Sequence, residues 1–346
     1  MDMTFVYQVQ HQAAFGPLIV VYFFLAGLSA GLFIISSLTT VFGLKKFESL
    51  AKPASVMALA TLIPGLLALI LDLGQPLRAL SLFFRVNPSS VMSWGSFIVL
   101  IYGIVCLIYT WNLWKEDSRS KFWGKIGVIF AAALGLYTGF LLAVVPGRPL
   151  WNSALLPVLF LISGCVAALS LLSLAQSFFP KATKLEGQGS EEGIHSMKVW
   201  LVVLEILLLA FHLLAVLSLN DAGRAVVKNL FGGTKQLSFV VIQLILGMAL
   251  PLLILILSKR STKALGISGL LSLIGVFTLR YNFVVGGEEL PQAGTLLYSF
   301  EGGAKGWGFT VALLAFTFLL IYILPGIVNN LTDGKIARTE SKNTTY

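Results

Sequence analysis

Nine long apolar runs follow one another along this chain, starting near Gly16, Pro53, Val91, Phe122, Ser153, Lys198, Gln236, Ala264 and Gly306. A helix needs about 20 apolar residues to cross the hydrocarbon core of a bilayer. The pattern therefore predicts an all-α integral membrane protein with nine spans. The longest segments between spans are roughly 73–90, 180–197, 219–235 and 286–305. None is long enough to fold alone, so soluble chemistry is expected from partner proteins. The N-terminus carries no basic segment followed by a small-residue cleavage site, and the first span is expected to be retained.

Composition sharpens this picture. The protein is 57% hydrophobic and 11% charged, with a mean hydropathy of +0.89. Function must then be sought in the few polar groups at membrane depth, where such groups are costly. The net charge of +9 points to topology rather than to nucleic acid. About two thirds of the 24 Lys and Arg residues, Lys45, Lys46, Lys115 and Lys259 among them, fall in the loops of one side. Cytoplasmic loops carry the excess of Lys and Arg, which puts the N-terminus outside and the C-terminus inside a bacterial cytoplasmic membrane. Cys106 and Cys165 both fall within spans and read as small packing residues. The three histidines are His11 before the first span, His195 in a loop and His212 in the sixth span. No two face each other at membrane depth on this map, so neither a b-type haem nor a metal ion is expected.

Small residues hint at a repeat. Gly27, Ala30 and Gly31 in the first span fall in register with Gly164, Ala167 and Ala168 in the fifth, and such stripes let helices approach closely. We read two four-helix units, 1–150 and 151–290, followed by 291–346 with the ninth helix and a cytoplasmic tail.

Alternating topology serves as a depth gauge. It places His11 at the outer surface, Asp72 at the outer end of the second span, and Ser93 and Trp94 at the outer start of the third. Tyr137 lies nine residues before Pro146, about 13 Å below the outer edge at 1.5 Å per residue. Each has a plainer reading. Trp94 suits the aromatic belt at the interface, Asp72 could anchor its span by pairing with Arg78, and Tyr137 with Thr138 could bond another helix. His11 could be a surface histidine. Together they suit a quinone head group, whose carbonyl oxygens accept bonds and whose oxidation releases protons.

A second set lies in the other unit. Glu205 and His212 are seven residues apart, on one face of the sixth span and about 10 Å apart. Gln243 in the seventh span and Arg280 near the outer end of the eighth are candidate neighbours. Ionisable groups within spans mark proton relays; a structural hydrogen-bond network is the competing reading.

The string DLGQPLRALSLFFRVNPSSVMSWGS, starting at Asp72, resembles the signature of the polysulfide reductase membrane subunit (NrfD-like) family. So do YFFLAGLSAGLF in the first span, YTGFLLAVVPGRPLWNSALLPVLFLISG across the fourth and fifth, and LRYNFVVGG in the eighth. The resemblance implies a haem-free quinol-binding subunit. It would exchange electrons between menaquinone or ubiquinone and a ferredoxin-like iron–sulfur subunit, joined to a molybdopterin catalytic subunit on the outer face. Iron–sulfur clusters and molybdopterin would then belong to the partners alone. It further implies quinol contacts at His11 and Tyr137, with Asp72 as proton acceptor. Two features depart from the family pattern. Tyr7 and Gln8 stand where some members carry an Asn before the histidine, and GGEE replaces a GGQ-like ending. Arg78, Arg85 and Arg148 read either as docking residues for the partner or as interfacial arginines. The expectation is a quinol-linked subunit of a polysulfide, thiosulfate or tetrathionate type reductase, with proton translocation as an open possibility. An assembly like alternative complex III and a secondary transporter are the alternatives.

Overall fold

The structure, a computed structural model, describes residues 15–73, 87–145, 147–178, 190–219, 221–258, 261–288 and 304–343. Among the described residues there is no strand, and nine helices are long and apolar enough to span a membrane. They are α1 (Pro17–Thr40), α2 (Glu48–Asp72), α3 (Val91–Trp114), α4 (Arg119–Ala143), α5 (Leu155–Phe178), α6 (Ser190–Leu219), α8 (Leu237–Leu257), α9 (Thr262–Glu288) and α10 (Ala304–Asn343). The short α7 (Asp221–Gly232) tucks Val226, Val227 and Leu230 inward between α6 and α8. Helices are the expected solution where no water can satisfy the backbone.

The first helix is the hub. Every residue from Ile19 to Phe33 is buried, because α1 packs against α2, α4 and α5 and also touches α9 and α10. Its small residues permit this crowding. A Cβ on Gly164 would sit 2.6 Å from the Gly27 carbonyl oxygen, and one on Gly31 would sit 2.9 Å from Ala168 Cβ. The two glycine-containing stripes thus lie face to face, so the sequence echo marks a helix–helix contact.

Hydroxyls tie α1 to its other neighbours. Ser29 Oγ donates to the Ala58 carbonyl (2.7 Å) and pairs with Tyr102 Oη at 2.8 Å; Ser36 Oγ donates to the Ala51 carbonyl (2.6 Å) and pairs with Tyr109 Oη at 3.0 Å. Each side-chain pair joins residues 73 apart, one heptad after the other.

The seventh apolar run predicts an ordinary helix, and α8 departs from it. Residues Leu237–Ala249 form a π-helix before the α-form resumes at Leu250. Two local features favour the wider turn. Pro251 has no N–H to return to Gly247. Asn282 bonds both Ser238 (2.7 Å) and Gln243 (2.7 Å), five residues apart, and an i→i+5 ladder stacks such residues on one side.

Successive spans alternate in direction, which defines two faces. The near face, where α1 begins, gathers Phe15, Asp72, Val91, residues 147–154 and Glu288. The far face carries the Lys52–Glu116 ion pair and the Ser177–Thr262 contact.

Candidate functional site

Near the near face, α3 and α4 diverge and leave a groove of about 440 Å³ with the start of α5. Its walls are Val91, Trp94, Ile98, Ala133, Leu136, Phe140 and Pro157, with Tyr137 among them as the residue that carries a hydroxyl. Tyr137 can occupy this position because α3 has no side chain opposite it. The ring lies where a Cβ on Gly95 would stand. Beneath it, the fully buried Tyr22 of α1 lies within electrostatic reach of Tyr137, and its own hydroxyl has no hydrogen-bond partner. Buried hydroxyls are ordinarily bonded, so two phenols meeting beside an apolar groove mark a place suited to an oxygen-bearing ligand. Trp94 is 58% exposed, with Nε1 donating to the Pro88 carbonyl at 2.8 Å. It therefore offers one ring face to the groove and serves the interface as well. Ser93 does not line the groove; its buried hydroxyl accepts the Asn87 N–H at 3.3 Å.

The margin of this region is held by contacts between distant segments. Glu288, buried at the end of α9, accepts the Phe15 N–H at 2.8 Å. Arg148 donates to the Gly287 carbonyl (2.7 Å) and stacks 4.9 Å above the Trp151 ring; Trp151 Nε1 donates to the Phe283 carbonyl (2.5 Å). Burial pushes the Arg148 guanidinium below its ordinary value, and the Glu288 carboxylate opposes that shift. Asp72 Oδ1 comes within 3.4 Å of where a Cβ on Gly16 would lie. Two carboxylates thus flank the backbone at Phe15 and Gly16, just before the first turn of α1. His11, Arg78 and Arg85 lie outside the described residues.

Arg148 is tied into the protein itself. The residue is 8% exposed and its guanidinium holds the 148–151 loop to α9, so its charge is turned inward rather than toward a partner.

On α6 and α9, Glu205 and Arg280 are fully buried and interact electrostatically, but they form no ion-pair contact. Arg280 Nη2 instead donates to the Phe160 carbonyl (2.8 Å) and Ser163 Oγ (2.7 Å), and its guanidinium lies 3.8 Å over the Phe160 ring. Glu205 Oε1, Arg280 Nε and Arg280 Nη1 have no partner. His212 Nε2 reaches the Leu150 carbonyl at 3.1 Å, leaving Nδ1 without a partner. A carbonyl only accepts, so Nε2 carries the proton and Nδ1 of the neutral ring is an open acceptor. Gln243 is a step removed, bonded to Asn282.

The structure therefore brings together Tyr137 and Trp94 in one place and Glu205, Arg280 and His212 in another. Tyr22, Gly95 and Glu288 were not singled out as site residues from the sequence. The signal for the first two was present as the heptad Tyr22, Ser29, Ser36 of α1 set against Gly95, Tyr102, Tyr109 of α3.

Known proteins share this architecture in sequence. Residues 6–291 match the family described as polysulphide reductase, NrfD. A polysulfide reductase component from Wolinella succinogenes is 30% identical, over 78% of this chain and 93% of its own length. A selenate reductase component from Mesobacillus selenatarsenatis is 26% identical over 91% of this chain and 86% of its own length. The integral membrane subunit of an Hdr-like menaquinol oxidoreductase from Archaeoglobus fulgidus is 27% identical over 77% of this chain and 69% of its own length.

Proposed function

The chain belongs to the polysulphide reductase NrfD family, and from that premise we propose that it is the quinol-binding membrane subunit of a respiratory reductase. It exchanges electrons between the membrane's quinone pool and an iron–sulfur subunit seated on the near face, which the loop charges orient outward. The observation that carries this reading is the apolar groove lined by Tyr137, with the buried phenol of Tyr22 within electrostatic reach behind it. A quinone matches that chemistry: its ring and isoprenoid tail suit the apolar walls, and its carbonyl oxygens need donors.

A quinol supplies two electrons and two protons when oxidised. The residues of this protein bind and orient it. Tyr137 donates a hydrogen bond from its hydroxyl; Leu136, Phe140 and Pro157 exclude water. Asp72, half-buried beside Gly16 at the near face, takes up a proton at a carboxylate oxygen, and His11 is assigned a second proton-accepting contact. A catalytic partner with molybdopterin uses the electrons on the same side. The relatives' names, a menaquinol oxidoreductase and reductases of polysulfide and selenate, support the quinone link and a respiratory acceptor.

Glu205 and His212 carry a second reading. Their buried polar atoms without partners support a proton route through the second unit, separate from the groove. The test of the main reading is quinol oxidation by Tyr137→Phe and His11→Ala in the assembled complex, with an artificial donor to the catalytic partner as control. Loss of quinol turnover with the control intact is expected. Wild-type quinol turnover in both variants would move the site elsewhere.

A further inference from the structure

The hydroxyl ladder between α1 and α3 has a rung that the protein leaves incomplete. Its two closed rungs are Ser29 with Tyr102 and Ser36 with Tyr109, each joining residues 73 apart. Because α1 and α3 run in the same direction, the same offset carries Tyr22, one heptad before Ser29, to Gly95, one heptad before Tyr102. Seven residues are close to two whole turns of helix. Tyr22 therefore lies on the same side of α1 as Ser29, and Gly95 on the same side of α3 as Tyr102.

At this rung the roles are exchanged. In the closed rungs a short serine on α1 meets a long tyrosine reaching across from α3. Here α1 supplies the tyrosine and α3 supplies no side chain. The space at Gly95 is taken by the ring tip and hydroxyl of Tyr137, which enters from α4. Two phenols therefore share one level between three helices and feel each other electrostatically.

The rung is nevertheless unbonded. Tyr22 is 2% exposed, and its hydroxyl has no hydrogen-bond partner among the described residues. By contrast, Tyr102 bonds both the hydroxyl and the carbonyl of Ser29, and Tyr109 bonds Ser36 and Thr40. A buried hydroxyl without a partner is costly and uncommon. Here it falls at the rung of the ladder that adjoins the groove, which points to a guest atom.

The chemistry of that atom follows from what hydroxyls do. A carbonyl oxygen has two lone pairs and accepts two hydrogen bonds, and each phenol can donate one. A quinol oxygen carries a proton, so it needs an acceptor as well as a donor, and a phenol hydroxyl can rotate to serve as either. Two phenols thus suit both redox forms of one oxygen. A carboxylate could not donate to the quinone, and an ammonium could not accept from the quinol.

We infer that Tyr22 is a ligand-contacting residue of the groove: an oxygen of the quinone held at Tyr137 enters the open rung and is clamped between the Tyr137 and Tyr22 hydroxyls. The inference rests on the reading of the groove as the quinone site and adds a contact within it. The bound quinone completes the ladder, so α1, α3 and α4 are joined by hydrogen bonds at this level only when the site is filled.

The experiment uses the assembled complex and dimethylnaphthoquinone with isotope-labelled carbonyls, a symmetric probe whose two carbonyls vibrate alike when free. Clamped by two donors, one carbonyl should give an infrared band below that of the other. Tyr22→Phe should raise the lower band by about as much as Tyr137→Phe does, and the double variant should raise it further. Tyr22→Phe should also raise the KM for the corresponding quinol roughly 2- to 10-fold, the equivalent of one neutral hydrogen bond. Without quinone, Tyr22→Phe should be at least as stable as wild type in unfolding titrations in mixed micelles, because it deletes a hydroxyl that bonds nothing in the empty protein. Added quinone should stabilise it less than it stabilises wild type. A band moved by Tyr137→Phe but not by Tyr22→Phe overturns the clamp and leaves the quinone reading standing. A band and a quinol KM that neither variant moves put the quinone elsewhere, and both readings fall. Lower stability of quinone-free Tyr22→Phe overturns the clamp too, because a resident partner would then already fill the rung.

Discussion

Gly95→Ala is a remote handle on the candidate quinone site. The added methyl would occupy the space of Cζ, Cε2 and the hydroxyl of Tyr137. Reaching an ordinary carbon–carbon separation of about 3.5 Å requires the ring to retreat by roughly 1.5 Å or more. The colliding atoms are the tip of one side chain bordering an open groove, so the ring can swing and the fold should survive. Overpacking of this kind costs about 1–3 kcal/mol. A hydroxyl moved that far loses its hydrogen bond, since contacts beyond about 3.5 Å no longer qualify. Losing only a neutral bond of about 0.5–1.5 kcal/mol would slow quinol oxidation roughly 2- to 10-fold. Losing a proton-transfer contact would slow it by about 10²–10⁴. The assay is steady-state quinol oxidation by the assembled complex for Gly95→Ala, Tyr137→Phe and the double variant. The two single variants should agree within roughly threefold, and the double should be no worse, because both act through one hydroxyl. Full additivity, or normal turnover in Gly95→Ala, would refute the reasoning.

Three further outcomes are expected. Arg280→Met should destabilise the protein by about 1–3 kcal/mol, because it leaves the buried Phe160 carbonyl and Ser163 hydroxyl without their donor; unfolding titrations in mixed micelles measure it. Glu288→Ala should raise the quinol KM while activity with an artificial donor is kept, and Glu288→Gln, which retains an acceptor oxygen for the Phe15 N–H, should restore it. Tyr102→Phe and Tyr109→Phe should each cost about 0.6 kcal/mol and at most about 1.7, the range for interhelical bonds in membranes; a loss above that in the same titration would mean the hydroxyls do more than bond Ser29, Ser36 and Thr40.

The spans were legible because a bilayer imposes one length and one solvent on each, and every apolar run became a helix at nearly its expected position. Depth along each helix placed Tyr137 and Trp94 at one level, and the groove they line is built from that level. Azimuth was not legible. Nothing in the local sequence says that Tyr22 turns toward Tyr137, or that Gln243 turns toward Asn282 rather than Glu205. Both depend on which neighbouring helix each face meets. The contacts of Arg148 were hidden for the same reason, since its loop position does not show that α9 and Trp151 enclose it. The π-helical stretch in α8 was hidden because apolar composition does not distinguish one helical pitch from another.

The bond from Phe15 to Glu288 joins groups 273 residues apart, and this has a consequence for how the protein is made. At synthesis rates of about 5–20 residues per second, roughly 14–55 s separate the emergence of its two ends. During that interval the first four spans can insert and pair, but the Phe15 N–H does not yet have the Glu288 carboxylate as its acceptor. A ribosome-bound polypeptide truncated before α9 should therefore leave the segment at Phe15 open to protease at the membrane surface, and one extended past Glu288 should protect it. The near face is thus finished only after the eighth span has arrived, so its completion is timed by translation of the second half.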